Sequence, residues 1–325
     1  MFWKLPGFGR ISEVALRPPA PREDRHGLAV VVTVKNEGRH VEEWARFHVA
    51  AGIRACIAYD DGSIDATIPT LRNVLGGSLT VVPWTQRLHD GPREIHNQVL
   101  AYAHAVANFG QFFRWMAFID VDEFLIPKAE KSLPDALRHL EGCRNISLPW
   151  HMFGHCGHET PPERGVLRSY LRRAADPMSD ERGVRAFKCI VDPCHVTALK
   201  VHSVETDGNN RTCNDAGMCV PLSERSIRAF YSAGRIQLNH YYARSRAEVA
   251  EKIARGHFVA AMQPRYAHKV QRTILNIERQ VIEDRTALDF LARIGDPELV
   301  PQLPFDGRLR LLHRNAPPAA DSPVQ

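Results

Sequence analysis

The feature that most constrains the fold is an alternation of buried strands and amphipathic helices in the N-terminal half of the chain. Residues 28–34 read LAVVVTV, a continuous apolar run typical of a strand that is buried on both faces of a parallel sheet. Further strands are predicted at 54–60, 79–84 and 115–120, and a segment with helical spacing precedes each of them. This order predicts an α/β fold with a mostly parallel central sheet flanked by helices.

Turn and capping residues mark the ends of the predicted helices. One helical face ends at Gly52, a second helix follows Asp65, and a long amphipathic helix is predicted at about 92–109. Ser132 and Ser245 each stand three positions before an acidic residue, which is the pattern of a capping box at the start of a helix.

The chain divides into four predicted segments. They are an N-terminal extension or linker at 1–27, the main α/β domain at 28–262, a C-terminal helical extension at 263–311 and a disordered tail at 312–325. The tail is assigned from its Pro- and Ala-rich composition, which offers little apolar surface to bury.

Charge and hydropathy exclude several classes of protein. The net charge of +5 is spread along the 325 residues without a block of like charges, which argues against a nucleic-acid partner. It suits an anionic small molecule or a membrane surface. No run of 18 apolar residues is present and residues 1–24 lack the apolar core of a secretion signal, so we expect a cytoplasmic protein, compatible with a peripheral position at the inner membrane face.

Seven cysteines are present, and their spacing matches no zinc-ligand pattern. The pairs 189/194 and 213/219 leave open a small metal or redox site. Reduced cytosolic thiols are the preferred interpretation.

Polar side chains follow three of the predicted strands at the points where those strands end. Because ligands of open parallel sheets bind outside the carboxyl ends of the strands, we expect the three groups to meet in one crevice. Asp120 and Asp122 form a D-x-D pair, and alternate residues of a strand face the same side. The pair is therefore predicted to hold one hard cation, Mn²⁺ or Mg²⁺. The groups are Lys35-Asn36-Glu37, Asp60-Asp61 and Asp120-Val121-Asp122-Glu123.

Each group also has a simpler interpretation. An isolated D-x-D is often a turn or a helix cap, Asp60-Asp61 could form a tight turn with Gly62, and residues 35–37 could begin a helix. Three such coincidences at consecutive strand ends of one sheet are less expected than one shared site.

Several motifs together resemble the GT-A fold of glycosyltransferases, in particular its inverting family-2-like branch and family 92, formerly called DUF23. The motifs occur in order over about residues 28–258, and an ordered set is far more specific than any one of them. They are VVVTVKNEGRHVEEWARFHVAAGI, YDDGSID, WMAFIDVDEFLIP, WHMFGHCGHE, FKCIVDP, VHSVETDG and LNHYYARSRAEVAEKIARG.

The resemblance implies a GT-A catalytic domain at 28–262 that uses a nucleotide-sugar donor, with a UDP-sugar favoured, and a glycan or glycolipid acceptor. The implied metal site is Asp120 and Asp122 completed by a histidine, either His240 or His202. His240 is preferred because Tyr241 and the helix capped by Ser245 would fix its orientation. The residues implied to line the donor pocket are Lys35, Asn36, Glu37, Asp60, Asp61, Asp120 and Lys188.

The implied reaction is a direct displacement at the anomeric carbon with inversion, which requires a base for the acceptor hydroxyl. The candidates are Glu123, the pair His158-Glu159 and the pair Asp180-Glu181, with Glu159 preferred. Two other functions remain open at this point. A nucleotidyltransferase or phosphohydrolase could use the same D-x-D site, although Lys-Asn-Glu-Gly-Arg after the first strand is a poor match for a triphosphate loop. A non-catalytic glycan-binding protein of the same fold is the third possibility.

Overall fold

The computed structural model describes residues 10–207, 210–255 and 263–295. The strands in these ranges are β1 (Val14–Ala15), β2 (Leu28–Val34), β3 (Ala55–Asp60), β4 (Leu79–Pro83), β5 (His89–Asp90), β6 (Arg93–Glu94), β7 (Trp115–Phe118), β8 (Glu123–Pro127), β9 (Asn145–Met152), β10 (Arg172–Ala174), β11 (Phe187–Val191), β12 (Val196–Lys200), β13 (Ser203–Thr206), β14 (Arg211–Cys213), β15 (Cys219–Pro221), β16 (Ile236–His240) and β17 (Val281–Glu283). The helices are α1 (Val41–Ala50), α2 (Thr67–Leu75), α3 (Asn97–Phe109), α4 (Leu133–Leu137), α5 (Val166–Ser169), α6 (Arg246–Arg255), α7 (Gln263–Glu278) and α8 (Thr286–Ile294).

A large sheet organises the molecule, with strand order β15-β14-β9-β11-β7-β2-β3-β4. The side formed by β7, β2, β3 and β4 is parallel, as predicted. The other side is mixed, because β11 runs antiparallel to both β7 and β9. The pair β8 and β16 continues the sheet beside β9. This arrangement confirms the α/β fold, with helices flanking a central sheet, that the sequence predicts.

Strand β2 separates two apolar cores. Val30 and Val32 face one core with Trp44 of α1, and Ala29 and Val31 face the other. Because successive side chains of a strand point to opposite faces, a strand between two helical layers needs apolar or β-branched residues at nearly every position, and only Thr33 of β2 is polar and partly exposed. The uninterrupted run LAVVVTV therefore has a direct structural cause.

Two predicted helical regions contain strands. Residues 89–94 form the hairpin of β5 and β6, with Gly91 in the left-handed region at φ 57°, so α3 begins at residue 97. In the predicted extension, β17 interrupts the helices and pairs with β10. The part of this extension from 296 to 311 and the predicted tail at 312–325 lie outside the described residues.

Five of the seven cysteines are free thiols, as expected, but the pair at 213 and 219 is not. Cys213 and Cys219, at the facing ends of β14 and β15, form a disulfide. The pairing follows from the hairpin, which places the two residues directly opposite each other. The Sγ of Cys143 lies 3.9 Å from that of Cys219.

Among the helices of the described ranges, none has the length and apolar character needed to cross a bilayer.

His48 is an uncharged polar residue within the core. Its Nδ1–H donates to the Trp44 carbonyl at 2.8 Å, and its Nε2 accepts the Leu125 N–H at 3.4 Å. Burial lowers the pKa of His48 to about 4. A second proton on the ring would remove the acceptor and bury a charge.

This burial predicts an acid-dependent loss of stability. As pH falls from about 6.5 to 4, the unfolded chain binds the proton on His48 before the native chain does, so the free energy of unfolding decreases. The full difference is about 3 kcal/mol. Urea unfolding at several pH values should show that His48→Gln flattens this part of the profile relative to the wild type. Parallel profiles for the two proteins would contradict the assignment.

Candidate active site

The D-x-D segment is a tight turn between β7 and β8. The Glu123 N–H donates to the Asp120 carbonyl at 3.0 Å, and the Asp120 N–H donates to Glu123 Oε2 at 2.9 Å. The Trp44 indole of α1 donates to the Glu123 carbonyl at 3.0 Å. Asp120 and Asp122 were expected to project together from a strand, but β7 ends at Phe118. In the turn the two carboxylates have different partners.

Asp120 is held by two donors. Lys188 Nζ lies 2.8 Å from its Oδ2, and Gln98 of α3 donates to its Oδ1 at 2.7 Å. The Lys188 side chain is 1% exposed. Burial alone would lower the pKa of Lys188, but the carboxylates of Asp120 and Glu123 outweigh it and hold the pKa well above its usual value. Lys188 is therefore a charged group enclosed by the protein.

Glu123 supports the turn from beneath. Its side chain is fully buried, its Oε1 accepts the Trp150 indole N–H at 2.7 Å, and its Oε2 lies 3.4 Å from Lys188 Nζ. Burial raises the pKa of Glu123 well above its usual value. With both oxygens occupied inside the core, Glu123 braces the turn and has no exposed surface to offer a substrate.

Asp122 faces His240, which is the last residue of β16. His240 Nε2 lies 3.3 Å from Asp122 Oδ2, and the backbone N–H of Tyr241 donates to the Asp122 carbonyl at 2.8 Å. Burial alone would raise the pKa of Asp122, but His240, Lys252 and Arg244 together hold it below its usual value.

The pair of Asp122 and His240 fits a divalent cation. Carboxylate oxygen and imidazole nitrogen are ligands that Mn²⁺ accepts. Adjacent ligands of an octahedral ion stand roughly 3 Å apart when each is about 2.1 Å from it, which is close to the observed 3.3 Å. The second ring nitrogen, Nδ1 of His240, is buried and lacks a hydrogen-bond partner among the described residues.

His202 also packs against Trp150. The Trp150 ring is 4.3 Å from the His240 ring and 5.0 Å from the His202 ring, measured between centroids. Burial lowers the pKa of His202 to about 4. Of the two histidines, the structure brings His240 to the Asp122 carboxylate.

The other two strand ends adjoin each other. Asn36, at a positive φ of 54°, donates its N–H to the Ser63 hydroxyl and accepts the Ile64 N–H, at 3.1 and 2.9 Å. Asp60 Oδ1 accepts the Ser63 N–H at 2.9 Å. The two Asn36 bonds join the loop after β2 to the loop after β3, as the sequence predicts, and the Asp60 bond closes the turn after β3.

Asp61 forms an ion pair with Arg87, a residue that the sequence analysis did not identify. Arg87 Nη2 contacts both of its carboxylate oxygens at 2.8 Å, and Lys35 Nζ lies 3.5 Å from its Oδ2. Arg87 follows β4, the next strand of the sheet. Its position shortly after the end of a strand is the sequence signal that could have placed Arg87 at this edge of the sheet.

Asp122 opens onto a cleft of about 480 Å³ between the loop after β2 and helix α6. Asn36 and Glu37 line it, and burial raises the pKa of Glu37. Arg244 and Lys252 also line the cleft, and sequence reasoning missed both. Among the described lining residues, five carboxylates face four lysine or arginine groups, so the cleft is polar and densely charged.

Lys252 is fixed close to Asp122. Its Nζ is 4.0 Å from Asp122 Oδ2 and 3.8 Å from the centre of the Tyr242 ring. The capping box at Ser245 and Glu248 sets the register of α6, with both reciprocal bonds present at 3.1 and 3.3 Å. Because residues four apart share a helix face, the capping box was a signal that could have placed Lys252 beside Glu248.

Arg244 adopts a strained backbone conformation. Its φ is 49°, a left-handed value that costs a non-glycine residue of order 1–3 kcal/mol. Its Nη1 lies 3.7 Å from Glu37 Oε2 and its buried Nε has no partner among the described residues. Strain of this kind concentrates at functional sites.

Glu159, the preferred sequence candidate for a base, is not among the lining residues of the cleft but adjoins the start of α6, where the Ala247 N–H donates to its carbonyl at 3.0 Å. Its carboxylate is 72% exposed and is 3.4 Å from Arg246 in the first turn of α6. The alternative pair is also on the surface, where Asp180 contacts Arg185 and Glu181 contacts Arg279.

The sequence of the chain matches a family model over residues 33–277, and that model describes glycosyltransferase family 92. The chain therefore belongs to glycosyltransferase family 92.

Two plant members of the family are similar to part of the chain. A family 92 protein of Oryza sativa subsp. japonica is 26% identical over 192 residues, which cover 55% of this chain and 31% of the rice protein. A family 92 protein of Ricinus communis is 27% identical over 191 residues, covering 54% of this chain and 33% of the castor protein. The matched segment thus spans about a third of each relative.

Two solved structures are similar to the chain at lower identity. The mannosyltransferase PcManGT of Pyrobaculum calidifontis, in complex with GDP-Man and Mn²⁺, is 15% identical, with 84% of this chain and 76% of that chain covered and a TM-score of 0.33. Glucosyl-3-phosphoglycerate synthase of Mycobacterium tuberculosis, in complex with Mn²⁺, UDP and phosphoglyceric acid, is 18% identical. In that case 40% of this chain and 44% of the other are covered, with a TM-score of 0.25.

The buried Lys188 cluster predicts a large effect on stability. Lys188→Met leaves the carboxylates of Asp120 and Glu123 without their cation, and the free energy of unfolding should fall by about 3–5 kcal/mol. The matched control is Lys200→Met, because Lys200 pairs with Glu13 on the surface and should cost at most about 1 kcal/mol. Urea unfolding measures both. Equal effects of the two substitutions would show that the enclosed cluster contributes no more than a surface pair.

Proposed function

We propose that this chain is a metal-dependent glycosyltransferase that moves a sugar from a nucleotide-sugar donor to a glycan or glycolipid acceptor with inversion. A UDP-sugar is the favoured donor. The observation that carries the proposal is the pairing of Asp122 with His240 at a charged cleft, where Asn36 and Glu37 meet Arg244 and Lys252.

The donor nucleotide is proposed to bind along the three strand ends. Asn36, Glu37, Asp60 and Asp61 would meet the base and ribose, with Lys35 at the rim. The bonds between the loops after β2 and β3 favour this assignment, because they fix the hydrogen-bonding groups before the ligand arrives. A preorganised site loses less entropy on binding.

The diphosphate is proposed to face Arg244 and Lys252. Negative charge grows on this leaving group as the glycosidic bond to the nucleotide breaks, and fixed cations stabilise that charge most effectively in an enclosed site. Lys252 is held by its contacts to the Tyr242 ring and carbonyl, and Arg244 is held between Glu37 and Glu248. Asp120 and Lys188, which form an ion pair at 2.8 Å, are proposed to lie beside the diphosphate.

The metal, Mn²⁺ or Mg²⁺, is proposed to bind Asp122 and His240, with Asp120 adjacent. When bound it would supply Lewis-acid stabilisation of the diphosphate oxygens. The chain's own contribution is to orient the two ligands, through the Tyr241 N–H on the Asp122 carbonyl and the packing of Trp150 against the His240 ring.

The acceptor hydroxyl requires a base that a substrate can reach. Glu123 is enclosed and its oxygens are occupied, whereas Glu159 is accessible. We therefore propose Glu159 as the base that takes the acceptor proton as the hydroxyl oxygen attacks the anomeric carbon from the face opposite the diphosphate.

The metal site predicts metal-dependent nucleotide binding. Saturating UDP with Mn²⁺ should raise the melting temperature of the wild type by about 5 °C, and Asp122→Asn should abolish the rise because one of the two metal ligands is weakened. Asp180→Asn is the matched control, since the Asp180 carboxylate is 91% exposed and should leave the shift unchanged. Thermal unfolding with and without ligand measures all three.

The proposal fails if UDP, GDP and CDP all leave the melting temperature unchanged in the presence of metal. A subsequent incubation with nucleotide sugars separates the reactions by product. An inverted glycoside that forms more slowly with Glu159→Gln supports the transferase and its base, whereas release of pyrophosphate indicates a nucleotidyltransferase.

A further inference from the structure

Helix α7 presents a basic face to solvent. Arg265, His268, Lys269 and Arg272 occupy positions i, i+3, i+4 and i+7, which place them on one side of the helix, and all four are exposed. The opposite side carries Val270 and Ile277, which are buried against the body of the protein. The basic face is therefore directed outward by the packing of the helix.

These cations lack the neutralising partners that most basic side chains of the protein have. Within the described ranges, no carboxylate lies within 4.0 Å of Arg265, Lys269 or Arg272. The acidic residue of the helix, Glu278, instead contacts His155 at 3.0 Å on another side. Their positive charge is therefore available to an external ligand.

A neighbouring loop adds to the same surface. Arg182 borders a recess of about 400 Å³ together with the basic face, and among the described residues no acidic side chain lines it. The loop is anchored to the helix by the bond from Asn276 Nδ2 to the Arg182 carbonyl at 3.0 Å. One turn beyond the recess, Leu275 is 71% exposed on the same side of the helix.

We propose that the basic face of α7, with Arg182 and Leu275, binds the surface of an anionic phospholipid bilayer. Clustered lysine and arginine groups on an amphipathic helix are attracted to anionic headgroups, and an exposed apolar side chain can enter the interface beside them. A bilayer matches this surface because it offers anionic headgroups to the clustered cations and an apolar interior to the exposed Leu275, whereas a small anion would engage the cations alone.

Helix α7 packs beside Tyr242, one of the residues that line the cleft. Tyr242 lines the cleft, its ring packs in one cluster with Val184 and Ile277, and its neighbour in α7 is Thr273. The helix that is proposed to meet the bilayer therefore adjoins the lining of the cleft, which suits the proposed glycolipid acceptor. The binding itself does not depend on sugar transfer.

Sedimentation with vesicles tests the proposal without any nucleotide, so its outcome is independent of the proposed transferase activity. The wild type should sediment with vesicles of 30 mol% phosphatidylglycerol in phosphatidylcholine and remain in solution with phosphatidylcholine alone, and added salt should release it. The triple variant Arg265→Gln, Lys269→Gln, Arg272→Gln should lower the partition coefficient roughly 100-fold, because each charge near an anionic surface contributes a factor of about five.

The matched control removes the same net charge from other surfaces. Arg17→Gln, Arg72→Gln, Lys131→Gln should retain binding within about threefold, since these exposed residues lie apart from α7. Circular dichroism melts check that both triple variants are folded. Equal losses in the two triple variants, or no sedimentation of the wild type, would overturn the proposal. Calorimetric binding of inorganic phosphate without any vesicle binding would also overturn it, because it would indicate a site for a free anion.

Discussion

The site depends on one buried cation. Lys188, enclosed at 1% exposure, contacts Asp120 at 2.8 Å and Glu123 at 3.4 Å. Three carboxylates occur within four residues of the turn after β7, and their mutual repulsion in a partly buried setting would open that turn. Lys188 contacts two of the three carboxylates from within the protein, and its single positive charge offsets part of their repulsion. Asp122 is thereby left as the carboxylate directed at the cleft, with His240 opposite it.

A second layer of contacts fixes the orientation of these groups. Trp150 donates to Glu123 and packs against His240, so one side chain links the brace of the turn to the histidine beside Asp122. Trp44 links the turn to α1 through the Glu123 carbonyl. Because these contacts come from the core, the geometry of the site is a consequence of folding and requires no ligand to establish it.

The sequence predicted the elements of this structure better than the roles of individual residues. The apolar run of β2 and the capping boxes at Ser132 and Ser245 specify local structure through short-range chemistry, and each is present in the fold. The meeting of the strand ends was predicted because ligands of parallel sheets bind outside the carboxyl ends of the strands. The hairpin at 89–94 was missed because its residues carry no alternating apolar pattern.

The site residues that the sequence did not identify are brought together by long-range contacts. Gln98, Trp150 and Lys252 reach the site from segments distant in sequence, and no local pattern marks them as neighbours of Asp120 or Asp122. The left-handed backbone of Arg244 is likewise a property of the packed structure. His240 was preferred over His202 for its place before a capped helix, and the structure sets it 3.3 Å from Asp122.

The central claim is that Asp122 and His240 together hold a divalent cation against a nucleotide diphosphate. A crystal soaked with Mn²⁺ and UDP, with data collected at the manganese absorption edge, tests it most directly. We predict one anomalous peak within bonding distance of an Asp122 carboxylate oxygen and His240 Nε2, with diphosphate oxygens completing its coordination. A peak elsewhere, or UDP bound in the cleft with no manganese at Asp122, would contradict the account.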